Sequence, residues 1–479
     1  MKTFARWIWI LCLSSSLQAQ PPAPLSDAPL NVVLVLVDDM GWMDLNCQGS
    51  RYYETPNLDR LAREGMRFTD AYAACAVCSP TRAAVMTGRY PARTGVTDWI
   101  RAKFQRDGLG TPDSHPTEYV GGPDRKLLCP PNPYWLEKRE ITLAEMLRPA
   151  GYATCHIGKW HLGDEAWFPQ HQGFDFNHGG CDYGQPPSYF DPYSNKRLPE
   201  GIPHLPPRRA REYLTDREAD EAAEFIKDHQ QQPFFLYLAH YAVHTPIQAK
   251  GAVTAKYENK EGTRQKNAIY AAMVESVDDA MGTLLATLDE TGMAARTIVI
   301  FTSDNGGLLG PTDNAPLRSG KGYAYEGGIR VPLIIRWPGV VDPGTVSNQP
   351  VTSVDFFPTI LDILGRKPPT GVPIDGVSLK RHLLSQGTQP MEREAIYWHF
   401  PHYRHDPGPY SIIRKGDWKL IKFYEGPQFE LYNLKEDLGE TKDLSNTQPD
   451  RVRALDAELM AHLKSVEAKL PRVNPDYRP

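Results

Sequence analysis

The 479-residue sequence lacks an excess of positive charge, and it lacks any hydrophobic run long enough to cross a membrane. Its 53 Lys and Arg residues are outnumbered by 58 Asp and Glu residues, and basic residues cluster only in fragments such as 207–211. A net charge of −5 disfavours nucleic acid as a partner. A bilayer needs about 18 consecutive apolar residues, so we expect no membrane span.

The sequence also lacks repeats with a period of about 20 to 50 residues, which argues against a solenoid or a propeller. Hydrophobic residues make up 41% of the chain and charged residues 23%, so neither a disordered nor a fibrous protein fits. The length and this composition predict a folded protein with one large and one small domain.

The N-terminus has the layout of a secretory signal peptide. Lys2 and Arg6 precede an apolar stretch at 7–13, which Ser-rich sequence and Ala19 follow. We therefore predict a signal peptide at 1–19 and an exported protein, periplasmic or secreted.

Cysteine is scarce, with seven residues in the whole chain. Cys12 lies in the predicted signal peptide, which leaves six cysteines in the exported protein: Cys47, Cys75, Cys78, Cys129, Cys155 and Cys181. An even count in an exported protein favours full disulfide pairing.

Short apolar runs rich in β-branched residues alternate with helical patterns. The runs do not alternate polar with apolar residues, which is typical of strands that are buried on both faces. They lie at 31–37, 152–157, 233–238, 297–301 and 331–335, and the helical patterns lie at 56–65, 142–150, 217–228 and 269–290. This order predicts an α/β fold with a large, mostly parallel sheet sandwiched by helices.

After about residue 390 the pattern changes to shorter runs at 395–399, 410–414, 418–423 and 429–432, with a closing helix at 449–469. These segments predict a small C-terminal antiparallel sheet with one packed helix. We therefore expect a catalytic α/β domain at 30–380 and an α+β subdomain at 381–479.

Carboxylate and amide side chains follow two of the predicted strands. Asp38 and Asp39 come after the first strand, and Asp304 and Asn305 come after the fourth. Ligands in open α/β sheets bind at the carboxyl ends of strands, where these oxygens would repel one another unless a hard cation such as Ca²⁺ or Mg²⁺ joined them. The structural alternative is a turn or helix-cap role for each residue.

Basic side chains follow two further predicted strands. Lys159 and His161 come after the second strand, and His240 and His244 come after the third. Such residues can hold an anion and donate a proton. The alternative is a solvated Lys and a structural His, and we leave it open for His240.

The segment from Cys75 to Arg82 is the most specific in the chain. Cys75 and Cys78 form a C-x-x-C pair, for which zinc or redox chemistry is the generic interpretation, but a second pair is missing. The sequence from Cys78 to Arg82, C-S-P-T-R, resembles the formylglycine signature of the type I sulfatases of the alkaline phosphatase superfamily, in which this Cys is oxidised to an aldehyde.

Four further segments match that family in the same order, and overall similarity is to arylsulfatase A and N-acetylgalactosamine sulfatases. They are Asp38-Asp39 with Gly41, 151–161 with Lys159 and His161, His244-Thr-Pro246, and Asp304-Asn305-Gly-Gly with Lys321 downstream. Residues 416–420, G-D-W-K-L, also resemble the family's C-terminal subdomain.

The resemblance implies a mechanism and a ligand set. Cys78 is the modified nucleophile, whose hydrated aldehyde attacks sulfur and then expels sulfate, whereas a thiolate would leave an adduct that resists hydrolysis. Arg82 steadies the hydrate, Lys159 and Lys321 bind sulfate oxygens, and His161 assists the collapse. His244 or Lys321 protonates the leaving oxygen. Asp38, Asp39, Asp304 and Asn305 hold one Ca²⁺, which also contacts residue 78.

If Cys78 is consumed in this way, five thiols remain in the exported chain, so at least one is unpaired. The family also implies a partner that modifies Cys78, either a formylglycine-generating enzyme or an anaerobic sulfatase-maturing enzyme.

The substrate that we expect is a sulfated glycan, attacked in an exo manner, in preference to a small sulfate ester, which stays open as the second choice. Aromatic and polar residues suited to a sugar ring are Trp99, Arg101, Tyr183, His402 and His405. Two alternatives stay open at this point, a phosphodiesterase or phosphonate hydrolase of the same superfamily and a non-catalytic glycan-binding protein.

Overall fold

The computed structural model describes residues 29–106 and 114–478. The predicted signal peptide at 1–19 lies outside these residues. No helix in the described ranges combines the length and the apolar character that a bilayer crossing needs.

Sixteen strands are present in the described residues. In chain order they are β1 (Asn31–Val37), β2 (Met66–Phe68), β3 (Ala71–Tyr72), β4 (Leu127–Leu128), β5 (Ala153–Gly158), β6 (Phe176–His178), β7 (Phe234–Ala239), β8 (Thr297–Ser303), β9 (Leu333–Arg336), β10 (Thr345–Ser347), β11 (Val351–Thr352), β12 (Ala395–Phe400), β13 (Tyr410–Lys415), β14 (Trp418–Phe423), β15 (Phe429–Asn433) and β16 (Arg472–Val473).

The α-helices are α1 (Pro56–Glu64), α2 (Cys78–Thr87), α3 (Pro91–Thr94), α4 (Leu143–Leu147), α5 (Leu214–Asp228), α6 (Gly251–Glu258), α7 (Ala268–Glu290), α8 (Glu326–Ile329), α9 (Phe356–Ile363), α10 (Lys380–Leu384) and α11 (Pro449–Ser465). Short 3₁₀ helices lie at Trp42–Asp44, Asn46–Gln48, Lys103–Gln105, Arg148–Ala150, Glu165–Trp167, Pro169–His171, Ala294–Arg296 and Ser353–Asp355.

Eight strands form one large sheet in the order β10-β2-β9-β8-β1-β7-β5-β6. Every pairing in it is parallel except those that β9 makes with β2 and β8. The predicted mostly parallel sheet is therefore confirmed, and the run at 331–335 is the one strand that reverses direction.

Strand β1 lies at the centre of this sheet and explains why its sequence does not alternate. Val33, Val35 and Val37 pack into one core with helices α5 and α7. Val32, Leu34 and Leu36 pack into a second core on the opposite face, with helices α2 and α9. Both faces of β1 are covered, so every position is apolar.

The register of the central strands brings their carboxyl ends to one edge. Val37 at the end of β1 pairs with Ser303 at the end of β8, and Leu36 pairs with Ala239 at the end of β7. Gly158 at the end of β5 also pairs with Ala239. Residues that directly follow these four strands therefore share one crevice.

The C-terminal strands β12 to β15 form an antiparallel sheet in sequential order, as predicted. One face packs on the segment Cys75-Ala76-Val77 through residues such as Trp398 and Ile412. The other face packs on helix α11. The side chain of Trp398 also donates a hydrogen bond to Ala73 O at 2.8 Å. The small sheet thus supports the chain that leads into Cys78.

Two local predictions differ from the structure for identifiable reasons. The helical pattern at 142–150 divides into α4 and a 3₁₀ turn at Arg148–Ala150, because Pro149 cannot donate the next helical hydrogen bond. Full disulfide pairing is not present either, and all six cysteines in the described residues are free thiols.

A buried ion cluster joins the small sheet to the rest of the chain. Lys419 Nζ of β14 lies 3.0 Å from Glu326 Oε1 and 2.7 Å from Glu440 Oε1, and all three side chains are fully buried. Removing the cation would leave buried Glu440 without a cation partner in a medium of low dielectric constant, whereas Glu326 would keep Arg330 at 3.2 Å.

We expect Lys419→Ala to lower the free energy of unfolding by about 3–5 kcal/mol. Thermal and urea denaturation measure this change. The matched control is Lys422→Ala on the same strand, whose partner Asp456 is 2.7 Å away but partly exposed, and it should cost less than about 1 kcal/mol. Equal losses of unfolding free energy in the two variants would show that the buried cluster stabilises the protein no more than the partly exposed ion pair.

Candidate active site

The polar residues that follow strands β1, β5, β7 and β8 meet in one buried crevice. Asp38 and Asp39 follow β1, and Asp304 and Asn305 follow β8. All four are buried. Asp39 N donates to Asp304 Oδ1 at 3.2 Å, and Asn305 Nδ2 donates to Asp39 Oδ1 at 2.8 Å. The structure therefore brings the two carboxylate-bearing strand ends into direct contact.

Helix α2 enters the same crevice with Cys78 in its first turn. Cys78 Sγ lies 3.6 Å from Asp38 Oδ1. Arg82 is four residues further along and so lies on the same face of the helix. Pro80 fits in the first turn, where the helix needs no backbone donor. Every residue of α2 is buried, including the Arg82 side chain.

Three cations pair with the three carboxylates. Arg82 Nη2 lies 2.8 Å from Asp304 Oδ2, Lys159 Nζ lies 2.5 Å from Asp38 Oδ2, and Lys321 Nζ lies 2.6 Å from Asp39 Oδ1. Arg82 Nη1 also donates to Lys159 O at 2.7 Å. The six formal charges sum to zero, which is how a site this deeply buried tolerates so many ionised groups.

The cluster retains acceptor atoms that nothing in the described chain satisfies. Asp39 Oδ2 and Asn305 Oδ1 are buried and have no hydrogen-bond partner. Ligand atoms of Asp38, Asp39, Cys78 and His244 lie within 4.8 Å of one another. The unsatisfied oxygens of Asp39 and Asn305, together with this group of ligand atoms, fit a hard cation better than a turn or cap role.

The two neighbouring carboxyls of β1 have opposite pKa shifts. Burial and the adjacent Asp304 raise the pKa of Asp38 to about 7, against the lowering effect of Lys159. Burial would also raise the pKa of Asp39, but Lys321 and His244 outweigh it and hold that pKa below its usual range. Asp39 also has a left-handed backbone, with φ 63°, and such strain is typical of functional sites.

His161 is held as a neutral base. Its Nε2 lies 2.8 Å from Ile100 O, and since a carbonyl only accepts, Nε2 carries the proton. Nδ1 is then an acceptor, and it is buried without a partner. Burial, with Lys159 and Arg82 nearby, holds the pKa of His161 well below its usual value.

His244 lies on the opposite side of the carboxylates. Its Nδ1 is 2.9 Å from Thr245 O and therefore donates, and its Nε2 is 3.6 Å from Asp39 Oδ2. Burial and Lys321 lower the pKa of His244 to about 3, although Asp39 opposes this. His240 is different, because its Nδ1 pairs with buried Glu218 at 2.6 Å. We interpret His240 as structural.

Three of the five predicted sugar-contacting residues lie on loops beside His161. Ile100, which bonds the His161 ring, separates Trp99 from Arg101, and the guanidinium of Arg101 lies 5.9 Å from the Trp99 ring centroid. Gly184 packs directly on the His161 ring, which places the neighbouring Tyr183 beside it. Trp99 and Tyr183 are half-buried and Arg101 is exposed.

His405 and His402 have different surroundings. The His405 ring stacks on Tyr323 with centroids 4.0 Å apart and packs on Gly322, next to Lys321. His402 is buried, and its Nε2 bonds Thr97 Oγ1 at 2.8 Å. A buried ring with its nitrogen already satisfied is a packing residue, so the expectation that His402 contacts sugar does not fit this geometry.

Two positioning residues escaped the sequence analysis. Ser79 Oγ donates to His161 O at 2.9 Å and accepts from Ile100 N at 2.9 Å. Because Ser79 lies inside the C-S-P-T-R segment, its sequence position could have indicated this role. Tyr189 OH bonds Tyr241 O at 2.7 Å and His244 O at 2.8 Å. No local pattern marks Tyr189, which comes from a distant loop.

Comparison with known proteins identifies relatives of this arrangement. The family model described as Sulfatase matches residues 30–366, and the model described as N-sulphoglucosamine sulphohydrolase, C-terminal, matches residues 319–469. A sulfatase of Formosa agariphila is 34% identical, over 97% of this chain and 93% of its own length.

The N-acetylgalactosamine-6-sulfatase of Sus scrofa is 38% identical over 82% of this chain and 72% of its own length. The solved structure of Ps i-CgsB in complex with k-i-k-neocarrahexaose has a TM-score of 0.76 and 29% identity, and it covers 91% of this chain and 93% of that chain.

The environment of Cys78 predicts an unreactive thiol in protein that carries the unmodified residue. Burial raises the pKa of the Cys78 thiol to about 11, although Lys159 and Lys321 lower it. In the presence of EDTA, the rate of alkylation of the Cys78 peptide by iodoacetamide should keep rising about tenfold per pH unit up to pH 10, as mass spectrometry can follow. The urea-unfolded chain is the control, and its rate should level off near pH 8.5. A folded-state rate that levels off at the same pH would refute the raised pKa.

Proposed function

The chain belongs to the sulfatase family of sulfuric ester hydrolases, and we propose that it removes sulfate from sulfated carbohydrate with a formylglycine made from Cys78 and a bound Ca²⁺. The observation that carries the proposal is the position of Cys78 Sγ, 3.6 Å from Asp38 Oδ1 at the start of α2. Arg82, Lys159 and Lys321 place three cations around it.

The state of Cys78 decides the chemistry. A thiol with a pKa near 11 is almost entirely protonated at neutral pH, so the unmodified residue is a poor nucleophile. Formylglycine would supply a hydrated aldehyde. One hydroxyl would attack sulfur while the bond from sulfur to the alcohol oxygen breaks, and loss of the proton from the second hydroxyl would then re-form the aldehyde and expel sulfate. The N-terminal end of α2 favours negative charge at residue 78.

Asp38, Asp39, Asp304 and Asn305 would hold the cation. Their donors are oxygens, which suit Ca²⁺, and the unsatisfied Asp39 Oδ2 and Asn305 Oδ1 atoms support this assignment. When bound, Ca²⁺ would lower the pKa of the nucleophilic hydroxyl and offset negative charge on the transferring group.

The charge balance of the crevice favours an anionic ester. The three carboxylates and three cations cancel, so a dication makes the site positive by two charges. A sulfate monoester carries one negative charge and is attracted to such a site. Lys159 and Lys321 are placed to donate hydrogen bonds to its oxygens, and Arg82 steadies the nucleophile.

Two histidines divide the proton transfers. His161 Nδ1 is an unpartnered acceptor in a neutral ring, which suits it to take a proton from the hydrate as sulfate leaves. His244 Nε2 lies next to Asp39 and beside Lys321. Lys321 carries a proton at neutral pH and can give it to the leaving oxygen. The neutral His244 ring, in contrast, holds its proton on Nδ1 and can act as the acid only after Nε2 is protonated.

A glycan is the substrate class that the surroundings support. Trp99, Arg101, Tyr183 and His405 offer ring faces and hydrogen-bond donors beside the crevice. The solved relative in complex with a neocarrahexaose has a TM-score of 0.76, and another relative is named an N-acetylgalactosamine-6-sulfatase. We assign catalysis to a domain at 30–380 supported by a subdomain at 381–479, in an exported protein matured by a formylglycine-generating or anaerobic sulfatase-maturing enzyme.

The first test is the mass of residue 78. Co-expression with a maturing enzyme should lower the mass of the Cys78 peptide by about 18 Da, the change for thiol-to-aldehyde conversion. Hydrolysis of 4-nitrophenyl sulfate, or removal of sulfate from carrageenan and chondroitin sulfate oligosaccharides, should appear together with this change in mass.

Two controls accompany that test. Cys78→Ala should be inactive under all conditions, and Cys75→Ala should keep the mass change at Cys78. Full activity of protein whose Cys78 is unmodified would overturn the formylglycine proposal. A preference for phenyl phosphonate or a phosphodiester over the matched sulfate ester would instead support the phosphonate hydrolase alternative.

The second test concerns the cation. Asp304→Ala should reduce kcat by roughly 100-fold or more, with loss of bound calcium measured by mass spectrometry of the metal. Asp304→Asn preserves an oxygen toward Arg82 and separates metal loss from misfolding. The control is Asp313→Ala, whose side chain pairs with exposed Arg264 at 3.4 Å. Wild-type kcat and calcium content in Asp304→Ala would reject the metal role.

A further inference from the structure

A second cationic pocket lies beside Lys321 and contains none of the residues assigned to the nucleophile or the cation. Its volume is about 510 Å³. The lining residues are Arg125, Tyr323, Tyr403, Arg404, His405 and Asp406.

Three distant parts of the chain build this pocket. Arg125 comes from the loop before β4, and its guanidinium lies 4.6 Å from the Tyr403 ring centroid. Leu127 N donates to Tyr403 OH at 3.1 Å, which ties the same loop to the segment after β12. The stacking of His405 on Tyr323 at 4.0 Å adds the segment that follows Lys321. The pocket is therefore a product of tertiary structure and not of one flexible loop.

The two arginines carry charge that the described chain does not neutralise. Arg404 is exposed and has no carboxylate within 4.0 Å among residues 29–106 and 114–478. Arg125 has only exposed Asp124, at 3.5 Å. Asp406 is the single acid that lines the pocket. Two planar guanidinium groups in one polar pocket are suited to an oxyanion.

The pocket is next to the catalytic crevice. Gly322 has φ +86°, and a Cβ at this position would lie 2.4 Å from Arg404 Nε. Glycine thus lets Arg404 lie against the backbone directly after Lys321. Gly322 N also donates to Ala76 O at 2.8 Å, two residues before Cys78.

The charge of Arg404 extends toward the nucleophile segment as well. Burial raises the pKa of Cys75 and of Asp98, and Arg404 is among the groups that lower both. Asp98 directly precedes Trp99, so the charge of Arg404 acts on the loop that carries Trp99, and Arg404 also lies against Gly322, next to Lys321. A sugar chain that leaves the crevice on this side would meet Arg404.

We propose that Arg125 and Arg404 bind a second anionic group of the glycan, carried by a sugar other than the one that loses sulfate. The inference rests on the proposed function and narrows its substrate to chains with at least two anionic groups. A sulfate ester and a uronate carboxylate both fit this chemistry. The half-buried rings of Tyr403 and Tyr323 offer partly accessible surfaces for the sugar that carries the group.

Binding measurements on the full-length chain test this proposal. Cys78→Ala prevents turnover and serves as the parent protein for calorimetric titration with Ca²⁺ present at 150 mM NaCl. The ligands are size-matched oligosaccharides of carrageenan and chondroitin sulfate, used in pairs. One set of pairs differs by a single sulfate, and the other differs by a uronate in place of a neutral hexose.

In one set of pairs, we expect the more anionic oligosaccharide to bind roughly tenfold more tightly than its partner. This is the gain in affinity that one charge-assisted hydrogen bond provides. Adding Arg404→Ala should abolish that difference, and adding Arg125→Ala should reduce it. The control is Lys126→Ala, which removes the neighbouring positive charge but lies outside the pocket, and it should preserve the difference. The set that responds identifies the anionic group.

Two results would overturn the inference. One is the absence of any difference within the pairs, and the other is a difference that persists in Arg404→Ala. Hydrolysis by the matured enzyme is measured separately on the same oligosaccharides. If the matured enzyme hydrolyses the oligosaccharides but Arg404→Ala does not change their binding, the anion site is rejected and the proposed hydrolysis stands. Arg404-dependent binding without any turnover rejects the proposed hydrolysis and leaves the anion site in place.

Discussion

The structure of the active site depends on one electrostatic constraint, which is that three carboxylates and three cations must neutralise one another away from water. Asp38, Asp39 and Asp304 are too buried to be ionised without partners. The flush register of β1 and β8 brings the carboxylates together, and helix α2 and the segment after β5 deliver Arg82 and Lys159 to them. Misplacing any of these elements would leave a buried charge unpaired, so the fold and the site specify each other.

The net charge of the chain says little about this crevice. The total is −5, which by itself suggests no affinity for an anion. The cations are concentrated where the strands end, and the acids that balance them are held by the same ion pairs. Arg125 and Arg404 extend the positive region beyond the crevice. Local arrangement therefore decides what the protein attracts, and the sum over the sequence does not.

Much of the architecture was predictable because buried strands leave an unmistakable pattern. The β1 prediction at 31–37 matches the structure residue for residue, and the four C-terminal strands begin where predicted. Cys78, Arg82 and the acids after β1 and β8 could be proposed as site residues from the sequence, because motif spacing and strand ends mark them. The reversed direction of β9, the burial of His402 and the role of Tyr189 were not predictable, since each depends on contacts between residues far apart in sequence.

The support that the C-terminal sheet gives to Cys75-Ala76-Val77 has a consequence for the order of events during synthesis. The ribosome makes Cys78 about 300 residues before it makes β12 to β15, and the Cys75-Ala76-Val77 segment has no such support until then. Once the small sheet is docked, Cys78 is only 3% exposed. If Cys78 is oxidised as proposed, the catalyst of that oxidation would have to reach it while the chain is still incomplete or unfolded. Under that proposal, the timing of translation, and not only the structure of the finished fold, would determine what fraction of the molecules becomes active.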